Sequence, residues 1–205
     1  DRYAISRQQQ DTFAALSQHK AGKAISNNTF ANEIVPVSIS SRKGQAWVEQ
    51  DEYPKPETNL DTLSALRPAF KKEGTVTAGN ASGLNDGAAA LILASKKAVE
   101  KHHLQPIAEI VSYAQAGVSP ELMGLGPVPA IEKALNKSNC TLNDMEVIEL
   151  NEAFAAQALG VMTALSNQHN VPLNVIQKRS NPNGGAIALG HPLGASGTRI
   201  LVSLL

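Results

Sequence analysis

The chain has 205 residues, 42% of them hydrophobic and 18% charged, which excludes fibrous and intrinsically disordered classes and leaves enough apolar material for a buried core. Lys plus Arg and Asp plus Glu number 18 each, for a formal net charge of zero, so no overall field draws the chain to nucleic acid or to an anionic membrane. Apolar runs such as 87–94 fall far short of the roughly 18 residues of a membrane-spanning helix. No signal-peptide pattern opens the chain, and a single cysteine, Cys140, excludes an internal disulfide framework and a multi-cysteine metal site. A soluble protein of a reducing, cytoplasmic compartment is the expectation. The chain opens at Asp1 without a methionine and closes on an apolar run ending at Leu205 without a cap, so it reads as a fragment of a longer protein.

From 6 to 24, Phe13, Leu16 and Ala24 stand among Gln, Lys and Asp at loosely helical spacing, with Asp11 near the start and Gly22 near the end. That pattern predicts one exposed amphipathic helix. Residues 33–39 carry Ile34, Val35, Val37 and Ile39 in an extended pattern, and 46–49 follow Arg42-Lys43-Gly44 as a second extended piece, so two strands around a turn fit best. Pro54 and Pro56 make 51–59 an irregular surface loop, and a short helix over 60–66 stops before Pro68. The small, turn-forming residues of 75–87 predict a tight loop that feeds a buried apolar element at 88–94. Beyond it come a polar helix end at 96–103, a strand at 107–114, a Gly- and Pro-punctuated stretch at 117–129 and a helix at 130–136. Residues 147–150 read as a strand, and Asn151 opens a long Ala-rich helix to about Ser166. The Gly-rich stretch 181–197 delivers the chain into an apolar helix from Thr198 onward. Helical and extended signals alternate, as in an α/β fold.

Gly184, Gly185, Gly190, Gly194 and Gly197 bracket one histidine, His191, held between Gly190 and Pro192. Glycine permits close backbone approach to a ligand and proline limits freedom beside the imidazole, a way of fixing a catalytic side chain. A hydrogen-bonded histidine in a glycine-rich turn accounts for the same residues. A phosphate cradle is excluded, because no GxGxxG opens a helix after a strand and no lysine follows the last glycine. His19, His102, His103 and His169 lie in polar or charged settings without metal-ligand spacing and read as solvent-facing. Asn151-Glu152-Ala153-Phe154 fits a helix start, with Asn as N-cap and Glu at the positive end of the dipole. Asn151 equally suits holding a water or donating to a developing oxyanion. Asn80, Ser82, Asn85 and Asp86 serve as turn caps or as ligand donors. Cys140 has no activating neighbour in sequence and reads as a structural or surface thiol.

Three blocks in this order resemble the thiolase family, the acetyl-CoA C-acyltransferases and acetyl-CoA acetyltransferases. They are GTVTAGNASGLNDGAA at 74–89, NEAFAAQ at 151–157 and NGGAIALGHPLGASG at 183–197, with MGLGP at 123–127 between them. The resemblance covers essentially the whole chain. It implies an α/β fold of mixed β-sheet with helices on its faces, two similar halves stacked in layers, of which this chain supplies little more than one. By the same resemblance, residues 1–84 are the second half of the loop domain, 85–104 the return segment of the N-terminal core domain, and 105–205 the C-terminal domain without its last strands.

Carried over residue by residue, His191 matches the histidine that activates a nucleophilic cysteine and donates to a thioester oxygen. Asn151 matches the asparagine whose amide holds the water completing that oxyanion hole. Ser82 and Ala78 match positions that contact the pantetheine arm, Phe70, Met123 and Phe154 match apolar positions lining its tunnel, and Lys55 falls near the nucleotide phosphates. Coenzyme A and acyl-CoA enter as substrates, with no permanently bound cofactor and no metal, and a homodimer or homotetramer is the family's rule. The implied reaction is thiolytic cleavage of a 3-oxoacyl-CoA or Claisen condensation of acetyl-CoA, in fatty-acid or aromatic degradation. Residues 42–44, 51–58, 148–151 and 181–185 lean toward 3-oxoadipyl-CoA, while acetoacetyl-CoA enzymes share nearly all of the blocks.

The family's two catalytic cysteines, one in the N-terminal half and one in a Cys-Gly-rich segment near the C-terminus, have no counterpart here, and Cys140 matches neither motif. The chain alone is therefore expected to be inactive and to need the missing N-terminal half of the same protein. A non-catalytic CoA or acyl-CoA binding module is the alternative, since the pantetheine-loop residues are present without the cysteines.

Overall fold

The computed structural model describes residues 2–42 and 44–205. Helix α1 (Arg7–Ser26) starts at a capping box in which the Ser6 hydroxyl accepts from the Gln9 N–H at 3.2 Å and the Gln9 side chain accepts from the Ser6 N–H at 2.8 Å. Its buried stripe is Gln10, Ala14, Ser17, Ala21 and Ala24, with Asp11, Ala15 and Gln18 beside it, a spacing of alternating threes and fours. Leu16, by contrast, is left 47% exposed. The expected exposed amphipathic helix is thus a buried one, and its inward face is small and polar rather than apolar. Small side chains let neighbouring segments come close, and the polar ones are bonded across to them. Gln10 donates to Thr75 Oγ1, Asp11 accepts from Arg7 and Asn80, Ser17 donates to Glu152, and Gln18 donates to the Ile187 carbonyl.

Strands β1 (Val37–Ser41) and β2 (Gly44–Val48) pair antiparallel, in register from Val37↔Val48 to Ser41↔Gly44. A hairpin is present as expected, but its strands lie closer to the turn than the predicted 33–39 and 46–49; of the turn, Lys43 lies outside the described residues. The 51–59 loop is irregular as expected, and Asn59 caps the short helix α2 (Leu60–Ser64). After an irregular stretch come α3 (Lys96–His102), a 3₁₀ turn (Pro120–Leu125), α4 (Pro127–Ser138), α5 (Ala155–His169), α6 (Leu173–Arg179), α7 (Ala186–Leu189) and α8 (Ser196–Leu204).

Helix α5 is the centre of the packing. Ala158, Val161, Met162 and Leu165 on it meet Leu135 of α4, Ile176 of α6 and the connecting residues Leu142, Leu150 and Val171. A second cluster joins Ala155 of α5 to Ala14 and Ala15 of α1, Leu63 of α2 and Ile187 of α7. The short, Gly-bounded α7 is thereby locked between two long helices, which matters because His191 follows directly after it.

Other expectations differ from the structure for one shared reason. Residues 88–94, expected to be buried, are irregular, with Ile92 95% and Leu93 75% exposed. The segment 107–114, expected as a strand, is equally irregular, with Ile107 and Tyr113 81% and 77% exposed. Of 147–150, only Ile148 forms a bridge, to Ser180. Such sequences become strands only when neighbouring backbone completes their hydrogen bonds, and among the described residues the sole sheet is the β1–β2 pair. Helix α5 also begins at Ala155, not Asn151: the Ala155 N–H donates to the Asn80 carbonyl at 2.9 Å and Phe154 bridges to Ala81. Pairing with the 74–89 block therefore keeps Asn151 to Ala153 out of the helix. His169 differs as well, being half-buried rather than solvent-facing.

Burial on α1 gives a reversal of what apolar periodicity predicts. Ala21→Leu, at a site with 0% exposure, is expected to destabilise by roughly 1–3 kcal/mol through overpacking, whereas Leu16→Ala should stay within about 0.5 kcal/mol. Urea unfolding of the two variants beside the parent chain checks both.

Candidate active site

The three glycine- and asparagine-rich blocks converge through backbone pairing. Ala81 bridges to Phe154, Leu84 runs parallel to His191, and the Ser82 N–H and hydroxyl both donate to the Ala153 carbonyl at 3.0 Å. The His191 N–H points to the Gly83 carbonyl at 3.1 Å and to Asn85 Oδ1 at 3.3 Å. Asn85 presses so closely on the backbone that a Cβ at Gly190, whose φ is +92°, would collide with it. The residue before the histidine is therefore restricted to glycine on both steric and conformational grounds.

The imidazole is gripped at both nitrogens. Nδ1 lies 2.6 Å from the Ser196 hydroxyl at the start of α8, and Nε2 lies 3.5 Å from Asn151 Nδ2. Asn151 Oδ1 is buried without a protein partner among the described residues, which leaves its lone pairs to a substrate donor or a water. Because α5 is capped at Phe154, Asn151 is not spent on the helix terminus and its amide faces the histidine.

The next residue along the chain, Glu152, is fixed on three sides. It is 2% exposed, and its carboxylate accepts from Ser17 Oγ at 2.6 Å, Asn181 Nδ2 at 2.7 Å and the Ile187 N–H at 3.3 Å. The Gly185 N–H donates to the same Ser17 hydroxyl at 3.0 Å, and a Cβ at Gly185 would strike the carboxylate. Burial pushes the Glu152 pKa up, against the lowering by its donors and by nearby Lys20. A helix-dipole role was the sequence expectation for Glu152; in the structure it is a buried junction between α1, α7 and the 181–185 loop. No local sequence signal marks that, since burial of a carboxylate depends on three segments distant in the chain.

A second buried carboxylate, Glu149, lies three residues before Glu152. The Glu149 side chain is 4% exposed and its Oε2 is 3.9 Å from Arg199 Nη1, an ion pair too long for a hydrogen bond, and neither atom has another partner among the described residues. Burial raises its pKa to about 7, opposed by Arg199 and Lys20 and reinforced by Glu152 and Glu33. Lys20, which donates to the Ser180 carbonyl at 2.8 Å, is itself lowered by burial, with Glu152 and Glu149 pulling the other way.

The remaining predicted residues divide in two. Phe70 stacks edge-on against Phe154, their ring centroids 6.1 Å apart at 72°, so these two and Ser82 share the convergence of the blocks with His191 and Asn151. Ala78 is exposed in the loop just before Ser82, and Met123 is 76% exposed on the 3₁₀ turn. Lys55 is exposed on the 51–59 loop, its Nζ 5.9 Å over the Tyr53 ring. That ring packs tightly against Gly83, a link between Lys55 and the site that sequence reasoning did not find. Cys140 instead packs against the α4–α5 core, its thiol 3.6 Å from the Ser138 carbonyl. Ser196 was also missed, although it stands five residues after His191 in the same quoted block.

The fold built around this site is the thiolase fold. The structure superposes on the crystal structure of the Bacillus anthracis acetyl-CoA acetyltransferase with a TM-score of 0.91 at 44% identity, over 99% of this chain and 50% of that one. It also matches human mitochondrial 3-ketoacyl-CoA thiolase in complex with CoA, with a TM-score of 0.87 at 45% identity, over 99% of this chain and 48% of that one. In sequence, residues 1–97 match the thiolase N-terminal domain and 104–205 the thiolase C-terminal domain. The β-ketoadipyl-CoA thiolase of Pseudomonas aeruginosa is 52% identical over 205 residues, which is all of this chain and 50% of that protein. The chain belongs to the thiolase family, and it spans about half the length of the curated relatives it matches.

Glu149 makes stability depend on pH in a definite direction. A carboxyl whose folded pKa is raised contributes stability that is fully present below its unfolded pKa and is lost as pH rises through about 7. Between pH 5 and pH 8 the parent chain should lose on the order of 2 kcal/mol that a Glu149→Gln variant does not lose. Urea titrations of both proteins at the two pH values measure the difference.

Proposed function

We propose that this chain is part of a thiolase that transfers an acyl group to or from coenzyme A, by thiolytic cleavage of a 3-oxoacyl-CoA or by Claisen condensation of acetyl-CoA. The observation that carries the reading is the pairing of His191 Nε2 with the Asn151 amide at 3.5 Å, where the three blocks meet. In this reading His191 takes the proton of a cysteine thiol supplied by the rest of a longer protein. In the cleavage direction the thiolate attacks the 3-oxo carbonyl and the adjacent carbon–carbon bond breaks. Acetyl-CoA leaves as an enolate whose thioester oxygen carries the negative charge beside His191 and a water held by Asn151. The enolate is protonated, the acyl group left on the cysteine passes to the thiol of CoA, and condensation runs the same steps in reverse. The buried, unpartnered Asn151 Oδ1 supports that assignment, since a held water needs an acceptor as well as a donor. Ser82, Ala78, Phe70, Met123 and Phe154 are assigned to the pantetheine arm and Lys55 to the nucleotide end.

Within the same proposal, residues 1–84 are the second half of a loop domain, 85–104 a return segment of the N-terminal core and 105–205 a C-terminal domain short of its last strands. The apolar residues left uncovered at 88–94 and 107–114 support a remainder that packs on them. With Cys140 as the only cysteine of the chain, covalent transfer by these residues alone is absent. The name of the β-ketoadipyl-CoA thiolase relative supports 3-oxoadipyl-CoA as substrate, acetoacetyl-CoA is the other candidate, and a cytoplasmic homodimer or homotetramer completes the reading.

Thiolysis of both substrates by the full-length protein tests it. Activity is expected for one of them, His191→Ala should lower kcat/KM by at least about 100-fold, and the 205-residue chain alone should show none. Turnover by the chain alone, or an unaffected His191→Ala enzyme, would overturn the reading. Binding of CoA by the full-length protein without turnover would favour the binding-module alternative.

A further inference from the structure

The Ser196 hydroxyl is 3% exposed as a residue and sits between two acceptor-capable groups. It donates to the Pro192 carbonyl at 3.2 Å and lies 2.6 Å from His191 Nδ1. A hydroxyl has one proton, and with that proton directed to the carbonyl it can meet the imidazole only as an acceptor. The proton of a neutral His191 then belongs on Nδ1. The opposite side of the ring agrees independently: Asn151 presents its amide nitrogen, a donor, to Nε2, and a donor calls for a lone pair there.

We infer that Ser196 is the positioning residue that sets the tautomer of His191, holding the Nδ1 proton so that Nε2 is the nitrogen that exchanges a proton. The inference deepens the acyl-transfer reading and rests on it for its kinetic consequence. Its mechanical sense lies in what stays fixed. When Nε2 takes up a proton, Nδ1–H remains a donor to Ser196, so the ring keeps its anchor in both charge states and need not rotate during transfer. The main chain is pinned separately, by Gly83 and Asn85 accepting from the His191 N–H. Ser196 also opens α8, its own N–H bonded to the same Pro192 carbonyl at 2.9 Å, so the hydroxyl inherits the rigidity of a helix start rather than that of a free loop.

The test uses the full-length protein labelled with ¹⁵N-histidine, in which the His191 signals are identified by their disappearance in His191→Ala. The expected wild-type spectrum at neutral or mildly alkaline pH has a protonated Nδ1 and a bare Nε2; a protonated Nε2 with a bare Nδ1 would overturn the inference. Ser196→Ala should raise the Nε2–H population and lower kcat roughly tenfold, the worth of one hydrogen bond at the upper end of its range, with KM little changed. Ser196→Thr, which keeps the hydroxyl, should restore both, and if the alanine variant fails to fold the wild-type spectrum decides the question by itself. An unchanged tautomer ratio and kcat in Ser196→Ala would equally sink the idea. An inactive wild type showing the Nδ1–H tautomer would overturn the acyl-transfer reading and support the tautomer assignment, whereas an active enzyme with the Nε2–H form would do the reverse.

Discussion

The structure turns on the burial of one carboxylate. Glu152 gathers the hydroxyl of Ser17 on α1, the amide of Asn181 and the first turn of α7 around itself, three donors from segments distant in the chain. An uncompensated carboxylate at that depth would cost several kcal/mol, so three donors must arrive together or the junction does not form. The cost falls mainly on the geometry of the chain. Gly185 has to be glycine because the carboxylate occupies the space of its Cβ, and Ser17 has to be small and hydroxylated because it donates to Glu152 while accepting from Gly185. Asn151, one residue before this fixed point, inherits a position accurate enough for its amide to meet an imidazole from a different loop.

What could be read from the sequence follows from how local each cause is. The hairpin, the start of α2 and the tight loop at 75–87 depend on turn chemistry within a few residues and are present in the structure, although the paired strands run 37–41 and 44–48 rather than 33–39 and 46–49, and the 181–197 stretch contains the short α7. The blocks that carry His191 and Asn151 were legible for the same reason, as dense runs of Gly, Asn and Pro. Helix α1 was found but given the wrong face, because Phe13 and Leu16 look like its apolar stripe while Ala14, Ser17 and Ala21 are the residues buried. Apolar periodicity misleads whenever a helix packs through small and hydrogen-bonded side chains, since close approach replaces hydrophobic bulk as the source of packing energy.

Long-range pairing explains the other differences. Asn151 carries a good N-cap signal, yet the bridge from Phe154 to Ala81 holds it in non-helical backbone, and a strand-like contact between segments seventy residues apart is invisible to a local reading. The apolar stretches at 88–94 and 107–114 are the converse case. Their composition is that of strands, but a strand is a property of two segments, and the described residues contain no neighbour that completes their ladders.

These uncovered stretches and the site are supported by different parts of the molecule. His191 is held by Gly83, Asn85 and Ser196, and Asn151 adjoins the Glu152 junction, all bonded within this chain. The irregular apolar segments contribute none of those bonds. A reacting group arriving from outside the chain would therefore meet polar side chains already in place. Preorganisation of this kind matters most where negative charge is to develop, because dipoles fixed by the fold need no reorganisation at the moment of reaction. Gly185 and Gly190 serve that end, since a Cβ at the first would strike the Glu152 carboxylate and at the second Asn85, whereas Gly194 and Gly197 face open space.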